Sequence, residues 1–263
     1  MTMMPNVLPG KNRKAGFTLL VIGAAVGTLL AAVSLMFEFI SVIAPALSSS
    51  INSGSIFVTW TTISAWAGAV ALLILTIGAF LLHSILRHGI AAGILILISI
   101  PIIMIWPSLA SKLLLSWIRG TFSSTSPLSS IFSMSHAVDV LNVLNNIVGL
   151  PESIGLFLLL LGLVRLLRQS NCRTGHALAL TAQIMLGVAV LQRFSNSVIY
   201  LVFSFAAGNG FSLGGSIPNI TRSFEWLAMY ILMLLAFIGA YRLFARRRAA
   251  PDGANPVLWE GTL

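Results

Sequence analysis

The sequence predicts an all-α fold, a polytopic bundle of six transmembrane helices. Three observations carry that prediction. Of the 263 residues, 57% are hydrophobic and 8% charged, against roughly 25% charged in soluble domains. The apolar residues gather into six runs long enough to cross a bilayer. The basic residues crowd beside alternate ends of those runs. With a mean hydropathy of +0.99, a water-soluble globule could not cover its apolar surface. Composition therefore excludes a soluble enzyme, a nucleic-acid-binding module and a disordered chain.

A hydrocarbon core about 30 Å thick takes about 20 apolar residues in helix, because unpaired backbone groups in lipid are costly. The spans are read as 16–42, 56–82, 90–106, 154–167, 177–205 and 224–244. The first, second and fifth are longer than the core requires and must tilt or project. The fourth is short, so it starts before Pro151 or continues through Arg165 by snorkelling. Lys11, Arg13 and Lys14 precede span one, as they would a signal peptide. That apolar run is too long for a cleaved signal and no small-residue site closes it, so it is read as an uncleaved span. Residues 1–15 form an N-terminal tail, 16–248 the membrane domain, and 249–263 a disordered tail with Pro251, Gly253 and Pro256.

The formal net charge of +9 sets the orientation. Lys11, Arg13, Lys14, Arg87, Arg165, Arg168, Arg173, Arg242 and Arg246 to Arg248 fall on one side. Lys112, Arg119, Arg193 and Arg222 fall on the other. By the positive-inside rule both termini are cytoplasmic, in a bacterial inner membrane, with anionic lipid beside the basic face. Glu38, Asp139, Glu152 and Glu225 all fall toward the outside. Trp60, Trp106, Trp117 and Trp226 sit near the outer interface, where an indole is half wet and half apolar.

The long outer loop, 107–151, is not simply polar. In 109–119, helical spacing sets Lys112, Ser116 and Arg119 apart from Leu109, Leu113, Leu114, Trp117 and Ile118. Further on, His136, Asp139, Asn142 and Asn146 oppose Val140, Leu141, Leu144, Ile147 and Val148. Two amphipathic helices resting on the outer leaflet are expected, joined by a Ser/Thr/Pro turn at 121–130. The loop after span one is polar and uncharged. The glycine-rich stretch 208–215 lacks the strand that a phosphate-binding loop needs.

Arg193 is the most informative residue. An ionised guanidinium in lipid costs on the order of 3 kcal/mol unless it snorkels or pairs. Glu38 and Glu225 lie at similar depth, so an intramembrane ion pair of Arg193 with one of them is expected. It would either tie helices together or serve gating or anionic-ligand binding. Gly23, Gly27 and Ala31 recur every fourth residue in span one, and Ala65 and Ala69 do so in span two. Small residues at that spacing let helices approach closely. Pro101 interrupts the donors of span three and predicts a kink. No catalytic constellation stands out. His83 with His88, and His136 with Asp139, are too few for a metal site. The lone Cys172 supports neither a disulfide nor a cysteine metal site. No cofactor is implied.

From 90 to 248 the chain resembles a group of uncharacterised four-span bacterial inner-membrane proteins. The residues concerned are Leu163, Val164, Arg165, Leu166, Leu167 and Arg168, then Gly175, and the cluster Arg246 to Arg248. The resemblance implies a long first outer loop, a basic turn between middle spans and a final span ending in basic residues. It implies no activity, and the two additional N-terminal spans depart from it.

Two functions are expected from these readings. One is non-catalytic: a scaffold or accessory subunit acting through helix contacts with other membrane subunits or with itself. The other is a small-solute transporter or channel built on Arg193, Glu38, Gln183, Gln192 and the Pro101 kink. A membrane-embedded enzyme would require a cavity lined by at least three convergent polar side chains.

Overall fold

The computed structural model describes residues 10–43, 55–122, 141, 143–207 and 216–246. No strand occurs among them. Six long helices follow in order: α1 (Gly10–Ile43), α2 (Ser55–Leu81), α3 (Gly89–Phe122), α4 (Leu150–Gln169), α5 (Arg173–Ala207) and α6 (Ser216–Arg246). Each contains a stretch apolar and long enough to span a membrane. The predicted turn at 121–130, beyond Phe122, lies outside the described residues. So do His136, Asp139, the loop after α1, the glycine-rich stretch 208–215 and the C-terminal tail.

The helices form a closed ring. Each packs on its neighbours in sequence, and α1 packs on α6 to close the circle. Two tight turns set the alternation. Between α2 and α3, Leu86 N–H donates to the Leu82 carbonyl at 2.8 Å and Gly89 N–H to the Leu86 carbonyl at 2.8 Å. A side chain at Gly89 would meet the Ala79 carbonyl at 2.9 Å, so the turn needs glycine there. Between α4 and α5, Asn171 takes the left-handed conformation, φ 54°. Asn171 N–H donates to the Arg168 carbonyl and Cys172 N–H to the Leu167 carbonyl, both at 3.2 Å. That pair is a Schellman helix stop with Asn in the position glycine usually takes.

These turns share one end of the ring with the start of α1 and the close of α6. Gly16 lies against Leu82, and Gly239 against Gly175. The basic residues Lys14, Arg87, Arg165, Arg168, Arg173 and Arg242 sit at this basic end. The described acids, Glu38, Glu152 and Glu225, all belong to the opposite, distal end.

The basic half is packed solid. Phe17, Leu20, Leu75, Leu82, Leu86, Ile96, Leu160, Leu163 and Phe237 are fully buried there. Small residues bring the backbones together. A Cβ at Gly78 would sit 3.1 Å from the Gly16 carbonyl, and one at Gly155 3.1 Å from the Ala92 carbonyl. Side chains such as Leu29, Leu73, Ile94, Ile184 and Leu235 point outward, as a lipid-facing surface requires. Without a hydrophobic drive between helices in lipid, this close van der Waals packing is what holds the ring.

Two expectations about the outer loop change. The third apolar span is Gly89–Ala110, but its helix does not stop there: α3 runs unbroken through Pro101 and Pro107 to Phe122. A helical proline forfeits one backbone hydrogen bond, and α3 absorbs that loss twice. Residues 109–119 are therefore the end of a helix about 51 Å long, not a separate surface helix. Residues 143–148 are also helical and lead into α4, so the fourth span does start before Pro151 and covers Val143–Gln169. Two residues of its first turns lie opposite to what a surface helix would show. Asn146 is 8% exposed and Ile147 49%. The Asn146 amide turns into the bundle beside the buried Val143, while Ile147 and Asn145 turn outward.

Candidate functional site

The site is built on one face of α6. Ser223, Trp226 and Tyr230 follow at spacings of three and four and so stack along one side of the helix. Each meets a charged residue from a different helix. Ser223 Oγ donates to Glu38 Oε1 of α1 at 2.8 Å. The Trp226 ring carries the Arg193 guanidinium of α5, whose Cζ lies 4.9 Å from the ring centroid. The Tyr230 hydroxyl faces the Glu152 carboxylate of α4. From the distal end inward the order is acid, base, acid, over about 10 Å of helix.

Arg193 is 9% exposed, and three groups offset its desolvation. Its Nη1 donates to the Gly149 carbonyl at 3.0 Å and to Ser153 Oγ at 3.0 Å. The face of Trp226 supplies a cation–π contact. The acceptors bracket Pro151, which cannot donate to the carbonyl four residues before it. The Gly149 carbonyl also receives Ser153 Oγ at 3.0 Å and Ser153 N–H at 3.3 Å. Arg193 therefore braces the fourth span at its weakest joint, from the neighbouring helix. A Cβ at residue 149 would meet Arg193 Nη1, so a larger residue there would displace the guanidinium from its present place.

Tyr230 is fixed from below. Its ring is 5.9 Å from that of Trp226, centroid to centroid. On the other side it lies against α1, where a Cβ at Gly27 would approach its Cε1 to 2.5 Å. Gly27 is the recess that lets Tyr230 reach Glu152.

These groups wall a cavity of about 380 Å³ in the distal half of the ring. All six helices contribute: Ala31 and Ser34 from α1, Ser64 and Gly68 from α2, Ile103 from α3, then Glu152, Arg193 and the three α6 residues. Gly68 has nothing within 4 Å of where a Cβ would lie. A second hollow of about 250 Å³ lies on the flank between α5 and α6, with Glu225 on its wall. Trp226 lines both.

The predicted residues fall as follows. Arg193 reaches the cavity, and the acid that shares the cavity wall with it is Glu152. Glu38 stands at the rim, held by Ser223. Glu225 faces the flank. Gly23 packs on Leu75 and the Ala71 carbonyl, Gly27 holds Tyr230, and Ala31 lines the cavity. Gln183 is buried and Gln192 exposed. His83 Nδ1 donates to the Phe80 carbonyl at 2.7 Å. Arg165 Nη1 donates to His88 Nε2 at 3.1 Å. Among the described residues no three of His, Cys, Asp or Glu gather as a metal site would require.

Sequence reasoning missed Glu152 and Tyr230 as site residues, and Ser34, Ser64 and Ser223 with them. A signal existed for some. Ser34 and Glu38 are four apart in span one, and Ser223, Trp226 and Tyr230 share a helical face.

The fold and site thus define a multi-pass helical membrane protein with a charged cavity inside its ring. Searches among protein-family models, curated proteins and solved structures find no match.

Proposed function

We propose that the protein is a small-solute carrier, and that its solute occupies the distal cavity. The observation that supports this best is the convergence of all six helices on one hollow with Arg193 and Glu152 on its wall and Glu38 bonded to the wall residue Ser223. Ionisable groups inside a membrane are expensive and mark solute or ion paths. At about 380 Å³ the hollow sits at the small end of ligand sites, which run from roughly 300 to 1,000 Å³. The packed basic half closes one side of the membrane while the cavity serves the other, as one state of an alternating-access cycle would. Opposed charges favour a solute with hydrogen-bonding groups of both kinds. The basic end faces the cytoplasm of a bacterial inner membrane, against anionic lipid, and the cavity belongs to the outer half. The distribution of cations and acids supports that orientation.

The small-residue stripes supported the scaffold reading, and their use inside the ring weakens it. Gly23 and Gly27 are spent on α2 and α6, so they are not offered to a partner subunit. The cavity does meet the requirement set for a membrane-embedded enzyme, three convergent polar side chains, and the test separates that case. The purified protein is reconstituted in liposomes and given labelled amino acids, short carboxylates and short amines. At least one enters faster than into protein-free liposomes, leaves chemically unchanged, and falls to background with Arg193→Ala and Glu152→Gln. Conversion of the solute would establish an enzyme instead. Absence of uptake across the panel, or full uptake by both variants, overturns the proposal.

A further inference from the structure

The hollow on the flank between α5 and α6 is distinct from the cavity and faces the lipid. Its α5 wall includes Ile184 and Val188, which are 58% and 51% exposed on the outer surface of the ring. Its floor is Leu186 and Met229, both buried. Glu225 stands on the α6 wall, within the first turn of the apolar span Ser223–Leu243. The hollow is therefore apolar below and anionic at the level where a bilayer passes from acyl chains to headgroups.

We infer that this groove holds a lipid with a primary-amine headgroup, its ammonium on Glu225 and the top of an acyl chain against Ile184, Val188 and Met229. Charge complementarity selects the headgroup, since a carboxylate beside lipid is stabilised by a cation that donates hydrogen bonds to it. A quaternary ammonium has no N–H to donate. The apolar walls select an amphiphile over a soluble amine or a metal ion. The back of the groove is Trp226, whose ring carries Arg193. The bound lipid would press on the same indole that positions the cavity's guanidinium, so lipid composition becomes an input to the site.

The test uses the full-length protein in bilayers of equal phosphatidylethanolamine and phosphatidylcholine with matched acyl chains. After extraction in mild detergent, the lipids retained are counted by native mass spectrometry. A charge-assisted hydrogen bond predicts roughly tenfold enrichment of phosphatidylethanolamine. Glu225→Gln abolishes the enrichment while total lipid retained stays the same. Ala189→Trp, which fills the groove from α5, lowers retention of both lipids and checks the location without touching the charge. Excess free ethanolamine leaves the bound lipid in place. Equal retention of the two lipids by the native protein, enrichment that survives Glu225→Gln, or displacement by free ethanolamine overturns the inference.

Discussion

The two halves of the ring are made from the same six helices and solve opposite problems. The basic half is filled with Leu, Phe and Ala, and glycines bring its backbones within van der Waals reach. The distal half keeps a hollow and lines it with charge. α1 shows the contrast within one element. Phe17, Leu20 and Ala24 are fully buried, while Ala31 and Ser34, two to three turns on, face the cavity. Among the described residues the fully buried apolar side chains therefore concentrate toward one end, and the other end holds groups that stability alone would not select. Segregation of this kind lets a membrane protein carry an arginine and two carboxylates without losing its fold.

The comparison breaks most visibly with Phe237→Ala. Phe237 is fully buried in the packed half, and truncating a buried aromatic costs about 3–5 kcal/mol. Chemical unfolding in detergent should show that loss, with solute binding intact under conditions where the fold persists. A change near zero would mean that the basic half is not the stable one.

Arg193→Ala is expected to come next. It removes hydrogen bonds from a charged donor to Gly149 and Ser153, which are worth about 1.5–3 kcal/mol apiece. The two acceptors partly satisfy one another, because Ser153 Oγ already donates to the Gly149 carbonyl, so the net loss falls near the bottom of that range. Hydrogen exchange should rise around residues 143–153 before anywhere else. If exchange rises instead across α5, the guanidinium supports its own helix and not the joint in the fourth span.

Much of this architecture was legible in the sequence, and the reasons for the rest are physical. Span number follows from hydropathy summed along the chain, which needs no knowledge of neighbours. Arg193 was conspicuous for the same reason, as a charge in an apolar run. Its acceptors were not, because they are a backbone carbonyl and a serine 44 and 40 residues away. Pro151 reads locally as a boundary, and that reading set Glu152 at the edge of the loop. Depth was legible for Glu38 and Glu225, but rotation about the helix axis was not. One acid turns to Ser223 and the other to the flank, a difference fixed only by which helices close the ring. The end of α3 was misjudged because Pro107 looks like a stop, and a long helix can absorb it.

The sharpest form of the comparison makes one substitution twice on one helix. Ala24 and Ala31 are seven residues apart on α1 and lie on nearly the same face. Ala24→Leu forces three carbons into a site with no space and should cost about 1–3 kcal/mol through overpacking. Ala31→Leu points the same three carbons into a cavity of about 380 Å³, and its stability should stay within about 0.5 kcal/mol of the native protein. On the proposed carrier function its effect should appear in uptake, because the added side chain would fill volume assigned there to the solute. Equal destabilisation by the two variants would mean that the hollow closes in the membrane. If Ala31→Leu is stable and solute uptake is undiminished, the hollow exists but the solute does not pass through it.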